Sequence, residues 1–206
     1  LAKHSYPVVR WAELVQRKVD LIVAPAASAA VAAKNATSSI PIVMILPYDP
    51  VESKLVASLA RPGGNVTGTT YTPSPEIFGK QLALLKEAVP HASRVAVLSS
   101  PWGGSSQLSS VDKELDAAAR SLGIRLQRLD ARNPEEFDSA FAAMARERAD
   151  GVLVMGGYLS DRTRLAGLAI KHRLPTMAGF RENVEAGGLM AYGVNMSAFV
   201  GRAATF

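Results

Sequence analysis

Small, polar and aromatic residues follow most of the strands that this 206-residue sequence predicts. At the carboxyl ends of parallel strands, such loops offer free backbone N–H groups beside helix N-termini, and these groups suit a carboxylate. Tyr48, Trp102 and Tyr158 fall in these loops and could enclose an apolar ligand, or could serve packing alone. In chain order the loops are APAAS (24–28), LPYDP (46–50), SSPWGGSS (99–106), DARNP (130–134), MGGYLSD (155–161) and GFREN (179–183).

Two charged residues in these loops could recognise charge on a ligand. Asp49 could bind an ammonium group or cap the helix that follows it, and capping is the favoured interpretation. Arg181 could pair with a ligand carboxylate, or it could form an ion pair with Glu182 or Glu185, and the sequence leaves both interpretations open.

Catalytic and metal chemistry has little support in the sequence. None of the three histidines, His4, His91 and His172, lies at the carboxyl end of a predicted strand, so no Ser/His/Asp arrangement can be assembled. No spacing matches the HExxH or EF-hand patterns, no glycine-rich segment carries the Gly-Lys-Ser/Thr of a nucleotide-binding loop, and cysteine is absent. We therefore expect a protein that is not an enzyme, with no cofactor and no metal.

The composition is that of a folded globular protein, with 48% hydrophobic and 20% charged residues. The bases behind the net charge of +5 are scattered along the predicted helices and form no stripe with aromatics, which disfavours nucleic acid as a partner. The longest apolar run, 40–48, is far shorter than the ~20 residues that cross a bilayer.

Short runs rich in Val, Ile and Leu alternate with amphipathic segments, which predicts parallel sheets covered by helices on both faces. The predicted strands are 19–25, 40–46, 94–100, 125–131, 150–156, 174–180 and 188–194. The predicted helices are 8–18, 28–36, 74–90, 105–122, 133–149, 160–173 and one starting at Ser197, with Ser28 and Asn133 as N-caps.

The segment ASLARPGGNVTGTTYTPSP (57–75) separates two series of strands and helices and holds three glycines and three prolines. We predict two α/β lobes joined by a hinge in the crossing 67–72, at Thr69, Thr70 and Tyr71. Lobe 1 is predicted to comprise 1–70 together with 192–206, and lobe 2 is predicted to comprise 71–191.

The block DPVESKLVASLARPGGNVTG (49–68) resembles a signature of the ABC-transporter substrate-binding proteins that include tryptophan- and tyrosine-type amino-acid binders. The resemblance extends over nearly all of 19–206. Further matching segments are LLKEAVP (84–90), RVAVL (94–98), AAARSLGI (117–124), FDSAFAAMARERADGVLV (137–154) and HRLPTMAGFRENVEAGGLMAYG (172–193).

The resemblance implies a type I periplasmic-binding-protein fold, in which two Rossmann-like lobes with parallel sheets close on a ligand in the cleft between them. Relatives are longer at both ends, so lobe 1 is expected to be incomplete. Gly63 and Gly64 are expected to permit a turn that Asn65 fixes by bonding local backbone. The residues implied to line the cleft are Ala27, Ser28, Tyr48, Asp49, Trp102, Gly157, Tyr158, Phe180 and Arg181.

The resemblance further implies the solute-binding component of an ABC importer, which captures a carboxylate-bearing amino acid or aromatic acid without chemistry. Its partners would be that small molecule and an ABC permease in the membrane. Its location would be the periplasm, or the extracellular side with a membrane anchor. The alternatives are the effector domain of a LacI-type regulator, an enzyme on a doubly wound sheet, and an interaction module without a small ligand.

Overall fold

The structure, a computed structural model, describes residues 11–25, 27–45, 50–51, 53–70, 75–99, 107–131, 133–155 and 158–203. The chain forms two compact units. Unit 1 comprises Leu1–Thr72 and Ser197–Phe206, and unit 2 comprises Pro73–Met196. The lobes predicted from the sequence divide after 70 and 191, where the units divide after 72 and 196.

Helices and strands alternate through the described residues. The helices are α1 (Trp11–Gln16), α2 (Ala27–Ala36), α3 (Glu76–Ala88), α4 (Gln107–Leu122), α5 (Phe137–Arg146), α6 (Arg162–Lys171), α7 (Arg181–Glu185) and α8 (Met196–Ala203). The strands are β1 (Ile22–Ala24), β2 (Ile42–Ile45), β3 (Val66–Thr69), β4 (Arg94–Ser99), β5 (Arg125–Asp130), β6 (Gly151–Val154), β7 (Thr176–Ala178) and β8 (Met190–Ala191). Short 3₁₀ turns cover Pro134–Glu136 and Tyr158–Asp161.

Unit 1 contains a parallel sheet in the order β1-β2-β3. Because side chains alternate along a strand, Ile42 and Met44 of β2 pack with α2, whereas Val43 and Ile45 face the opposite side. Phe199 of α8 packs against this second pair. Both faces of the central strand are thus covered, as its unbroken apolar run predicts.

Strand β3 overlaps the start of the segment 67–72 that the sequence predicts as the first hinge strand. Val66–Thr69 form the third strand of the sheet, with Val66 opposite Ile42 and Thr69 opposite Ile45. The sequence VTGT carries no apolar run, so its pattern is that of a loop. Thr69 is therefore a sheet residue and Thr70 follows the strand, while Tyr71 lies outside the described residues.

Gly68 explains part of the glycine content of 57–75. Its φ is +133°, and a Cβ at this position would overlap the backbone oxygen of Met44 and lie 2.8 Å from the backbone nitrogen. Only glycine lets β3 approach β2 in this way. Gly63 adds a left-handed turn at φ +73°, which confirms its predicted role, whereas Gly64 has no positive φ and open space around an added Cβ, so the turn does not require a glycine there.

Asn65 acts over a longer range than predicted. Its side-chain Nδ2 donates to the carbonyl oxygens of Thr37 at 3.0 Å and Ile40 at 2.8 Å, both in the connection between α2 and β2. The expectation of local backbone bonds is therefore wrong. The side chain ties the start of β3 to that connection, because parallel pairing brings the two segments to the same edge of the sheet.

The two predicted N-caps have different outcomes. The Oδ1 of Asn133 accepts a hydrogen bond from the Glu136 backbone N–H at 3.2 Å, with Pro134 at the first position, which confirms that cap. Helix α2 begins at Ala27, so Ser28 lies inside its first turn and is not the N-cap. Alanine has the highest helix propensity, which lets the helix start before the serine.

Unit 2 contains a parallel sheet in the order β5-β4-β6-β7-β8. In β4, Val95 and Val97 pack with α3 and α4, whereas Ala96 and Leu98 pack with α5 and α6. The predicted α/β fold with parallel sheets is confirmed. The carboxyl ends of all five strands meet at one edge, where most of the loops singled out in the sequence begin.

Candidate functional site

The carboxyl ends of β4 and β5 carry a polar pair that the sequence analysis did not single out. Ser99 and Asp130 are register partners, and the Ser99 hydroxyl donates to Asp130 Oδ1 at 2.7 Å. A partial signal for this pair was present in the sequence, since the predicted strands 94–100 and 125–131 have equal lengths and both begin with arginine. The structure adds the register, in which Arg94 lies opposite Arg125. Their last residues must then face each other at the edge where ligands bind in such sheets.

Tyr158, predicted to line the cleft, packs inside unit 2 in the structure. The side chain is 6% exposed, and its hydroxyl donates to the carbonyl oxygen of Ala131 at 2.8 Å. Its ring meets the Phe137 ring edge to face, with centroids 5.3 Å apart. These contacts fix the loop after β6 to the end of β5, so Tyr158 positions that edge of the sheet.

An ion pair between α5 and α6 lies beside the Phe137 ring. The Arg164 guanidinium donates to Asp138 Oδ2 at 2.7 Å and lowers the pKa of that carboxyl below its ordinary value. The same guanidinium lies 6.0 Å from the centroid of the Phe137 ring. Because Asp138 is exposed, this pairing orients the side chains and contributes little to stability.

Phe180 and Arg181 lie where the short helix α7 begins after β7, with Arg181 as its first residue. Phe180 is partly buried in an extended conformation before the helix. Arg181 is exposed, and its Nε donates to Glu185 Oε1 at 2.7 Å, which is the ion pair that the sequence left open. Glu182 is the second residue of α7. Its Oε2 atom is buried and has no hydrogen-bond partner among the described residues.

The strand ends of unit 1 carry backbone N–H groups and one hydroxyl that could bind a ligand. Strand β1 ends at Ala24 and α2 begins at Ala27, and the first N–H groups of a helix have no partner within it. Thr69, the last residue of β3, holds Oγ1 buried without a hydrogen-bond partner among the described residues. Neither Thr69 nor Glu182 was predicted as a ligand contact.

The remaining predicted site residues lie outside the described residues. They are Tyr48, Asp49, Trp102 and Gly157, together with Tyr71 of the predicted hinge. Their roles stay predictions.

The signature block 49–68 has a structural role in the part that is described. Leu55 and Val56 are buried in the core of unit 1, and their N–H groups both donate to the Pro50 carbonyl. Lys34 of α2 donates through Nζ to the carbonyl oxygens of Lys54 and Leu55, at 2.5 Å and 3.1 Å. The block thus folds a compact loop onto the sheet.

Two further features concern metals and membranes. The described residues contain no group of three or more His, Cys, Asp or Glu side chains able to hold a metal ion. Among the described helices, none is long and apolar enough to cross a bilayer.

Comparison with known proteins identifies the family. The model of the family described as ABC transporter substrate binding protein matches residues 3–205. A tyrosine-binding protein of Clostridioides difficile (strain R20291) is 31% identical over 185 residues, which cover 89% of this chain and 52% of the relative. The chain therefore spans about half the length of this curated relative.

Solved structures show the same architecture. A conserved domain protein from Vibrio cholerae O1 biovar El Tor is 28% identical with a TM-score of 0.78, over 94% of this chain and 64% of that protein. An ABC domain from Streptococcus pneumoniae, solved in complex with L-Trp, is 24% identical with a TM-score of 0.80, over 95% and 65%. With its parallel α/β units, the chain has the type I periplasmic-binding-protein fold and belongs to the ABC transporter substrate-binding protein family.

Proposed function

We propose that this protein is the solute-binding component of an ABC importer and captures a carboxylate-bearing amino acid or aromatic acid in the cleft between the lobes. The observation that carries the proposal is the family match over residues 3–205, together with the 31% identity to a tyrosine-binding protein. Binding involves no chemistry: the ligand favours the closed state by its higher affinity for it. The partner is an ABC permease, and the location is the periplasm or the extracellular side.

Backbone N–H groups and the hydroxyl of Ser28 in the first turn of α2 receive the ligand carboxylate in this proposal. An anion is favoured there because unpaired N–H groups and the helix dipole both point toward it. Tyr48 and Trp102 enclose the apolar part, with Gly157 leaving space and Phe180 and Arg181 at the margin. Tyr158 supports the loop and does not contact the ligand in this proposal, since its hydroxyl donates to the carbonyl of Ala131.

Ammonium recognition has two candidates, Asp49 and Glu182. Glu182 is supported by its buried Oε2, because a carboxylate oxygen without a hydrogen-bond donor is costly unless a cation or donor meets it. Thr69 offers a hydroxyl of the same kind in unit 1. In this proposal, Glu182 Oε2 and Thr69 Oγ1 accept hydrogen bonds from the ammonium group of an amino acid. An acid without an ammonium group cannot make these bonds, so the two classes of ligand are distinguished.

A thermal-shift panel tests the ligand class. L-tyrosine, L-tryptophan, benzoate and 3-(4-hydroxyphenyl)propionate are added to the chain, and the last compound is tyrosine without its ammonium group. A true ligand at 100 times its Kd adds about 2.7 kcal/mol to the free energy of unfolding. No shift with any amino acid or aromatic acid would contradict the proposal.

Glu182→Gln separates the two kinds of ligand. We expect the variant to lose tyrosine affinity by about tenfold or more, with little change for the compound that lacks the ammonium group, because only the charged group needs the carboxylate. Glu185→Gln is the matched control, since Glu185 is exposed and pairs with Arg181. Equal losses for both compounds would remove Glu182 from ammonium recognition and leave Asp49 as the candidate.

A further inference from the structure

The amino ends of the strands in unit 2 form a surface with a distinct charge. Strands β5, β4, β6 and β7 are neighbours in that order and all parallel, so their first residues lie along one edge. The helices that connect parallel strands run back, so α3, α4, α5 and α6 end at the same edge. Each of these four helices has a basic residue in its last turn.

The fold therefore gathers bases that are scattered along the sequence. We call this surface the basic end; all of its residues are described, and its acids are Glu87, Glu147 and Asp150. Two of the acids are engaged within it, since Glu147 pairs with Arg94 at 3.0 Å and Asp150 accepts the N–H groups of Ser93 and Arg94. The bases of the basic end are Lys86, Arg94, Arg120, Arg125, Arg146, Arg148, Lys171 and Arg173.

Two arginines of the basic end are held in a backbone conformation that favours glycine. Arg148 precedes β6 with φ +57°, and Arg173 precedes β7 with φ +54°. Both are exposed, and neither forms an ion pair with another described residue. Glycine is the usual residue after a helix end in this conformation, so the arginine side chains are present at a cost in backbone strain.

Exposed aliphatic side chains accompany the bases. Ile170, in the last turn of α6 beside Lys171, is 66% exposed. Leu189, at the start of β8, is 55% exposed, and its N–H donates to the Thr176 hydroxyl at the start of β7. Cations around protruding aliphatic groups match the interface of an anionic bilayer, where phosphates attract the cations and the acyl boundary receives the aliphatic groups.

We propose that the basic end binds the surface of an anionic phospholipid bilayer. The edge spans four adjacent strands, or about 15 Å at the usual strand spacing, so it fits an array of negative charges rather than one small anion. The carboxyl ends of the strands, where ligand is proposed to bind, are the opposite edge of the same sheet. Bilayer contact through the basic end therefore leaves that edge free, and it would concentrate the protein at the membrane.

Vesicle flotation tests the proposal with the full 206-residue chain. Vesicles of phosphatidylcholine with 40% phosphatidylglycerol are compared with pure phosphatidylcholine, at low and at high salt. We expect partitioning onto the anionic vesicles only, weakened by salt because surface charge is screened. The variant Arg148→Gly/Arg173→Gly removes two charges at positions that favour glycine, and it should lower the partition coefficient by between about 10-fold and 30-fold.

Two control variants define the outcomes. The variant Arg148→Lys/Arg173→Lys keeps both charges and should keep the partition coefficient within about twofold of the wild type. The variant Lys80→Gln/Lys113→Gln removes two exposed charges from the middle of α3 and α4, and it should lower the partition coefficient by less than about threefold. Millimolar inorganic phosphate at constant ionic strength should not compete. The proposal is overturned if the wild type does not prefer anionic vesicles, if both neutralised pairs lose binding equally, or if phosphate displaces the vesicles. Ligand binding, measured in the same variants, should not change.

Discussion

At the scale of single residues, Tyr158 lies in a strand-end loop that was predicted to bind ligand, but its ring packs within unit 2. Its hydroxyl meets the carbonyl of Ala131, a residue with no exposed surface. We predict that Tyr158→Phe lowers the free energy of unfolding by about 1–2 kcal/mol, because a buried carbonyl then lacks a donor. Urea denaturation measures the change.

A matched variant and a binding measurement complete this test. Tyr192→Phe alters a tyrosine that is 44% exposed and should change stability by less than about 0.5 kcal/mol. A structural role for the Tyr158 hydroxyl leaves ligand affinity within about twofold of the wild type. A large affinity loss at unchanged stability would instead assign that hydroxyl to the ligand.

Gly68 carries the strongest single-residue constraint of unit 1. A Cβ there would collide with the backbone of Met44, and backbone atoms in a paired strand cannot move aside. We predict that Gly68→Ala destabilises unit 1 by about 3 kcal/mol or more, from the steric overlap and from the positive φ. Gly64→Ala is the control, since no heavy atom lies within 4 Å of its added methyl group.

At the scale of elements, the sequence predicted most of the architecture. The seven predicted strands each contain an observed strand. For β2, β4 and β6 the reason is that a strand buried on both faces needs a nearly unbroken apolar run. The place of β3 in the sheet of unit 1 was not predicted, because VTGT has no apolar run and its pairing with β2 depends on a segment that is distant in sequence. The role of Asn65 was not predicted for the same reason, since the carbonyl oxygens that accept its hydrogen bonds lie 25 and 28 residues away in sequence.

The site was less accessible to sequence reasoning than the fold. Strand-end loops could be located, because strands and helices alternate in a regular way. Which side chain in a loop turns inward depends on neighbours that are distant in sequence, as the burial of Tyr158 against Phe137 shows. The bases at one end of unit 2 are likewise brought together by the parallel topology. They form no continuous run of charge in the sequence, so local sequence patterns do not predict the basic end.

The carboxylate of Asp150, just before β6, forms hydrogen bonds with the start of β4. Burial opposes its ionisation, but the N–H groups of Ser93 and Arg94 and the Ser93 hydroxyl donate to Oδ2 and hold the pKa of the carboxyl below its ordinary value. A carboxyl whose pKa is lowered by folding stabilises the protein above its unfolded pKa, here 3.8, and loses that contribution as pH falls through the folded pKa.

We predict that Asp150→Asn costs about 1–2 kcal/mol at pH 7, because the amide oxygen replaces a charged acceptor, and that the difference from the wild type shrinks below about pH 4. Urea denaturation at pH 7, 5 and 3 measures both effects. Glu135→Gln, which alters an exposed carboxyl in the same unit, should change stability by less than about 0.5 kcal/mol throughout. A difference that stays constant with pH would contradict the role of the charge.

At the scale of the whole molecule, the two units differ in the size of their cores. Among the described residues, unit 1 has a three-stranded sheet with one main cluster of buried side chains and a small second one, whereas unit 2 has a five-stranded sheet with a large cluster on each face. Less buried apolar surface gives a less stable unit. We therefore predict that calorimetry resolves two thermal transitions, with unit 1 unfolding first.

Variants assign the transitions, and ligand tests their coupling. Gly68→Ala should lower only the first transition and Tyr158→Phe only the second, since each alters one unit. A ligand that binds both lobes is released when either unfolds, so at 100 times its Kd it should raise the first transition by about 10 °C or more. The gap between the two transitions should then narrow or close. If ligand raises only the second transition, binding does not involve unit 1, and the capture of a ligand between two lobes is wrong.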